Sequence, residues 1–136
     1  MEALQQLKDG RPIRAIGLMS GTSLDGVDAA LIETDGVDHV EIIAHETVPY
    51  KKKHREKLKQ AVSFALEADE KRPDAPEIVA AEKVLIKTHA KAVASLNSGD
   101  GEVELVGFHG QTVLHRPDKG LTWQIGDGAA LADRCG

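Results

Sequence analysis

Ten residues, Met19-Ser20-Gly21-Thr22-Ser23-Leu24-Asp25-Gly26-Val27-Asp28, lie between the apolar runs Ile13 to Leu18 and Ala29 to Ile32 and constrain the fold more than any other segment. Two strand-length apolar runs around a short polar stretch read as antiparallel strands joined by a turn. Gly21 and Gly26 can take positive φ and let a ligand approach the backbone, while Ser20, Thr22 and Ser23 add hydroxyls to a row of N–H donors. That combination suits phosphate. Asp25 and Asp28 would repel a phosphate unless a cation or water lay between, so a divalent metal beside a nucleotide is implied, with Asp25 as its candidate ligand. The same residues also make an ordinary β-turn, because Gly, Ser and Asp favour turns for local reasons. Neither the Gly-Lys-Ser/Thr of a Walker loop nor a Gly-x-Gly-x-x-Gly is present. Any phosphate bound here is bound between two strands.

The rest of the chain builds on that hairpin. Ile13 to Met19 is expected as the first strand and Val27 to Glu33 as the second, with Thr34-Asp35-Gly36 turning into a third over Val40 to Val48. After Pro49 the period changes: Leu58, Ala61, Val62, Ala65 and Leu66 fall on one helical stripe. Lys71-Arg72-Pro73-Asp74-Ala75-Pro76 breaks that helix, with Asp74 and Pro76 placed to open the next. The second stripe is Ile78, Ala81, Leu85, Ala92 and Leu96, stopping at Asn97-Ser98-Gly99-Asp100-Gly101. A fourth strand over Val103 to Phe108, apolar on both faces as in a mixed sheet, leads to a β-excursion ending at Leu121 to Ile125. Gly126-Asp127-Gly128 then opens an alanine-rich helix. The fold class is α/β, with residues 1–12 a leader and 13–136 part of one domain whose final strand is expected beyond 136.

Composition narrows the function. A net charge of −5 over 136 residues gives no general attraction to nucleic acid or an anionic membrane, so a small metabolite is the expected partner. The single cysteine, Cys135, cannot form an internal disulfide. No signal-like leader or membrane-length apolar run is present, so a cytoplasmic protein is expected. Lys51-Lys52-Lys53-His54-Arg55 reads as a solvated helix start in preference to a phosphate or polyanion site, His89 as a packed core histidine, and Trp123 either as core or as a stacking surface.

His109-Gly110-Gln111-Thr112 sits at the C-terminal end of the fourth strand, where open α/β sheets place ligands. His109 and Gln111 can bond sugar hydroxyls, or simply cap the strand; Asp127 is either a ligand group or an N-cap. A phosphate hairpin between strands resembles the actin-like ATPase and sugar-kinase superfamily. Together, Gly17 to Asp28, Gly107 to Pro117 and Thr122 to Asp127 closely resemble anhydro-N-acetylmuramic acid kinase, over positions 13 to 136.

The resemblance implies an actin-like (ribonuclease H-like) domain in an enzyme dependent on ATP and Mg²⁺. It implies that water opens the 1,6-anhydro ring of anhydro-N-acetylmuramic acid while O6 is phosphorylated, giving N-acetylmuramic acid 6-phosphate and ADP in cell-wall recycling. The family's ATP stretch falls on Gly21, Thr22, Ser23, Leu24, Asp25, Gly26, Val27 and Asp28; His109, Gln111 and Asp127 are expected to face the sugar. Family members are more than twice this long, so the catalytic base, the second phosphate loop and a second domain are expected beyond Gly136, and the 136 residues alone are expected to be inactive. The full protein is expected as a possible homodimer. The alternative is a non-catalytic actin-like module that binds nucleotide or a partner.

Overall fold

The computed structural model describes residues 2–97 and 103–136. A short helix α1 (Glu2–Lys8) occupies the expected leader and precedes β1 (Ile13–Ser20), β2 (Gly26–Thr34) and β3 (Val40–Pro49). Helices α2 (Lys52–Ala68) and α3 (Pro76–Leu96) follow, then β4 (Leu105–Gly107), β5 (Gln111–Arg116), a 3₁₀ turn Pro117–Lys119, β6 (Leu121–Ile125) and α4 (Gly128–Cys135). The main sheet has the order β3-β2-β1-β4, antiparallel except for the parallel β1–β4 pair, and β5 and β6 form a separate hairpin. This is an α/β fold with a mixed sheet.

Strand periodicity decides which face is covered. Ile16, Leu18 and Ser20 pair with Leu31, Ala29 and Val27, and all six are buried, whereas the alternate Gly17, Met19 and Asp28 are exposed. Helix α3 packs on β1, β2 and β3 and also against α2 and α4. Its stripe Ile78, Ala81, Leu85, Ala92 and Leu96 is buried throughout, as its spacing predicts. Trp123 is core, 5% exposed. His89 is buried too: its Nδ1–H donates to the Leu85 carbonyl at 2.7 Å and its ring meets Phe108 edge-on. Burial holds its pKa below the ordinary histidine value.

Several expectations are corrected. The fourth strand is three residues long, not six; Leu105 and Val106 are only half-buried because β1 is its one sheet neighbour among the described residues. Leu66 is 52% exposed, since the buried face of α2 is Leu58, Ala61 and Ala65. Asp74 does not cap α3; the cap is Ala75, with Pro76 as the first helical residue. Of the stop expected after α3, Asn97 closes the helix by donating to Val93, and the remainder lies outside the described residues. Helix α2 ends on Asp69 in the left-handed region, with a carboxylate held by Arg116 at 3.0 Å and by Lys119. That clasp ties α2 to the β5–β6 hairpin.

Candidate functional site

The β1–β2 connection, residues 21–25, is a polar loop at the end of the sheet, and its shape does not come from glycine flexibility. Neither Gly21 nor Gly26 has positive φ; the left-handed residue is Leu24 (φ 57°), whose side chain is buried and whose N–H donates to the Gly21 carbonyl at 3.2 Å. A buried apolar side chain holds a conformation that leucine rarely adopts unaided. Gly26 is needed for another reason: a Cβ there would lie 2.6 Å from the Val48 carbonyl oxygen and 2.9 Å from Pro49 Cα. The end of β3 lies directly on the loop.

Three distant residues hold the loop. Ser20, 3% exposed, donates to Gln111 Oε1 at 2.5 Å and therefore accepts from the Tyr50 hydroxyl at 2.7 Å, having only one proton to give. Gln111 Nε2 donates to the carbonyls of Gly21 and Thr112, both at 3.2 Å. Burial pushes the Tyr50 phenol up to about 12, only partly offset by its bond to Ser20. Arg55 closes the other side, with Nε donating to the Leu24 carbonyl at 3.1 Å and Nη2 lying 3.5 Å from Asp25 Oδ1. Tyr50 N–H donates to the Asp25 carbonyl at 3.0 Å. Polar groups committed this way stiffen a loop in a definite shape.

Most of the loop's own functional groups are left outward. Thr22, Ser23 and Asp25 are exposed, the Asp25 side chain by 76%. Ser20 is not available to a ligand, which reduces the expected hydroxyl row to Thr22 and Ser23. Val27 is core, and Asp28 accepts from Thr47 Oγ1 across the β2–β3 pair at 2.6 Å. Glu33, His39 and Glu41 also place ligand atoms close together, but at the far end of β2, where His39 already pairs with Glu33 at 3.0 Å.

The residues expected at the sugar side divide. Gln111 is fully buried and bonded at both amide atoms, so it supports the loop from beneath. His109 is exposed, and its carbonyl accepts from Gln124 Nε2 at 3.0 Å. Asp127 caps α4, accepting from Ala129 and Ala130 N–H at 3.0 and 3.3 Å, and lines a cavity of about 280 Å³ with Glu82, Lys83 and Arg134. Burial, then the Asp127 charge, raises the pKa of Glu82. The segments containing His109 and Asp127 meet through glycines. Gly110 (φ +76°) leaves no room for a Cβ beside the Ile125 carbonyl, and a Cβ on Gly126 would lie 3.2 Å from Gly110 Cα.

Tyr50 and Arg55 were not foreseen as part of this site. A tyrosine directly after a strand-ending proline, in a chain with one tyrosine, was the available signal for the first. For Arg55, membership of a basic run concealed its separate direction.

Fold and site define an α/β protein with a mixed sheet, whose first hairpin is braced from below and presents hydroxyls and a carboxylate outward. Residues 13–136 match the family model for anhydro-N-acetylmuramic acid kinase, and the chain belongs to that family. It is similar to proteins named anhydro-N-acetylmuramic acid kinase from Rhizorhabdus wittichii, 54% identical over 126 residues, and Gluconobacter oxydans, 48% identical over 128 residues. A third, from Rhizobium etli, is 47% identical over 126 residues. Each match covers 90% of this chain and 34% of the relative, so the chain spans about a third of the length of the curated relatives it matches.

Proposed function

We propose that these 136 residues supply the phosphate-binding half of the cleft in an anhydro-N-acetylmuramic acid kinase with an actin-like, ribonuclease H-like fold. The reaction is the ATP-dependent hydrolytic opening of 1,6-anhydro-N-acetylmuramic acid with phosphorylation of O6, giving N-acetylmuramic acid 6-phosphate and ADP, in cell-wall recycling and amino-sugar catabolism. The observation that carries this reading is the braced hairpin at residues 20–26, in a segment whose family match runs from 13 to 136. The same reading takes the protein as cytoplasmic and, when complete, as a homodimer. No helix among the described residues is long and apolar enough to cross a membrane.

The residues present fit a nucleotide with Mg²⁺. Thr22 and Ser23 offer hydroxyls to phosphate oxygens, and Asp25 presents a largely solvated carboxylate with only a 3.5 Å approach from Arg55. Mg²⁺ keeps several waters and is held by one or two carboxylates together with substrate phosphates, which one exposed aspartate beside a phosphate loop satisfies. When bound, the metal would neutralise charge on the transferred phosphoryl group. His109 is the proposed sugar contact on this side, because its imidazole is exposed whereas Gln111 and one oxygen of Asp127 are committed within the fold. Gln111 acts by positioning, holding the Gly21 carbonyl and the Ser20 hydroxyl so that the loop does not collapse when empty. The carboxylate that activates water is assigned to residues outside 1–136.

The test is ADP release by the full chain with and without 1,6-anhydro-N-acetylmuramic acid. Sugar-dependent ADP together with a sugar 6-phosphate product supports the reading, and ADP release indifferent to the sugar overturns it. The 136-residue chain alone is expected to yield no sugar phosphate.

A further inference from the structure

The basic run at the start of α2 does not stand alone in the fold. Lys51 and His54 meet Lys87 and Lys91 of α3 and Arg134 of α4 around a cavity of about 360 Å³, completed by Val48, Pro49, Thr88 and Ala90. Lys57 and Lys83 extend the same lining into an adjoining groove that shares His54 and Lys87. Lys87 and Lys91 are one helical turn apart and line the same cavity. Among the described residues, no carboxylate lines either cavity. None of Lys51, His54, Lys87, Lys91 and Arg134 joins an ion pair among the described residues. Arg134 and Lys83 also border the Asp127–Glu82 cavity and are partly balanced from that side. Lys51, Lys87 and Lys91 do not border it.

Gathering like charges around one concavity costs free energy, and in a chain of net charge −5 it runs against the overall balance. His54 registers the result: partial burial and then Lys87, Lys53, Lys51 and Lys57 hold its pKa below the ordinary value. An anion in the cavity relieves that repulsion. Ammonium groups on flexible stems bind phosphate as point charges, and the volume suits a small ligand enclosed on several sides.

We infer that the cavity where α2, α3 and α4 meet is a binding site for a compact polyanion, a phosphorylated small molecule. A nucleic acid strand would need an extended basic track, whereas here the charge converges on a hollow. The site also adjoins the hairpin. Pro49 lines the cavity and lies against Gly26, and Arg55, next to His54, bonds the Leu24 carbonyl. Anything drawn against Lys51 and His54 therefore bears on the segment that seats the loop.

The probe is pyrophosphate, titrated into the full chain while the His54 imidazole is followed by NMR. Saturable binding that raises the His54 pKa is expected, with affinity about tenfold weaker for each of Lys87 and Lys91 replaced by alanine. Lys87→Met with Lys91→Met, which keeps the apolar stems, should show the same loss. Lys59→Ala with Lys71→Ala, an equal change of net charge at exposed positions elsewhere, should bind as the parent does. An unmoved His54 resonance, equal affinity in the Lys87/Lys91 variants, or equal weakening by the Lys59/Lys71 pair would each overturn the assignment. Pyrophosphate held only by the hairpin binds the Lys87/Lys91 variants as tightly as the parent, so failure here is distinguishable from failure of the kinase reading.

Discussion

At one end of β2 the chain turns through residues 21–25 and at the other through 35–39, and the two turns are stabilised from opposite directions. The far turn is self-contained. The Asp35 carboxylate accepts the N–H groups of Val37, Asp38 and His39 at 2.9, 3.2 and 3.0 Å, and Thr34 Oγ1 donates to the His39 carbonyl while accepting from Gly36. The near turn has one such internal bond, from Leu24 to Gly21. Otherwise it is held by Tyr50, Arg55 and Gln111 from other elements. A turn that satisfies its own backbone uses its side chains to do so. One braced from outside keeps Thr22, Ser23 and Asp25 pointing away, free to meet a ligand.

Glycine substitution should separate the two most sharply. Gly26→Ala forces a Cβ into the Val48 and Pro49 backbone and is expected to cost about 3 kcal/mol. Gly36→Ala pays only the left-handed penalty of about 1 to 2 kcal/mol, its nearest neighbour being the Leu7 side chain at 3.5 Å. Urea unfolding of both measures the difference, and equal losses would erase the distinction drawn here. Next in size is the brace. Gln111→Ala leaves the Ser20 hydroxyl and the Gly21 carbonyl without their partner, a loss of about 2 kcal/mol, and Tyr50→Phe should cost about 1 kcal/mol.

Tyr50 also carries a pH signature. Its folded pKa of about 12 exceeds the ordinary 10.0, so the fold favours the neutral phenol. The stability this contributes is complete below pH 10 and is lost as pH rises from 10 through 12. Tyr50→Phe should flatten that part of a stability–pH curve, and an unchanged alkaline slope would remove the phenol from the account. Asp35 has the opposite sign. The Val37, His39 and Asp38 N–H groups hold its carboxyl below 3.8, so its contribution is present above that value and lost as pH falls through the folded pKa. Asp35→Ala should loosen the far turn in hydrogen exchange while leaving amide protection at the near turn unchanged. The smallest effect on stability belongs to Asp25→Asn, which should leave the urea midpoint in place yet reduce Mg²⁺-nucleotide use by the full chain. Unchanged kinetics would take Asp25 out of the site.

Strand and helix order was legible because periods of 2 and 3.6 separate cleanly here, as in the alternation around Ile16 and Leu18 and the stripe through Leu85. The hairpin's location was legible for the same reason. Its support was not. The partnership of Ser20, Tyr50 and Gln111 joins residues 30 and 91 positions apart and leaves no periodic trace. Local chemistry assigned flexibility to Gly21 and Gly26, whereas packing places the strained residue at Leu24 and makes Gly26 a matter of space. Asp127 and Gln111 carry the right chemistry for a ligand, and only their hydrogen bonds reveal what the fold already asks of them.

The bond between Ser20 and Gln111 also sets an order of events. Chain emerging from a ribosome at roughly 5–20 residues per second has its first three strands available well before Gln111 appears. Until then the Gly21 carbonyl and the Ser20 hydroxyl lack the amide that positions them. The nascent hairpin can pair its strands early, but the loop takes its finished shape only after α2, α3 and β4 are out. The finished shape of the loop is therefore acquired later in synthesis than the residues that form it.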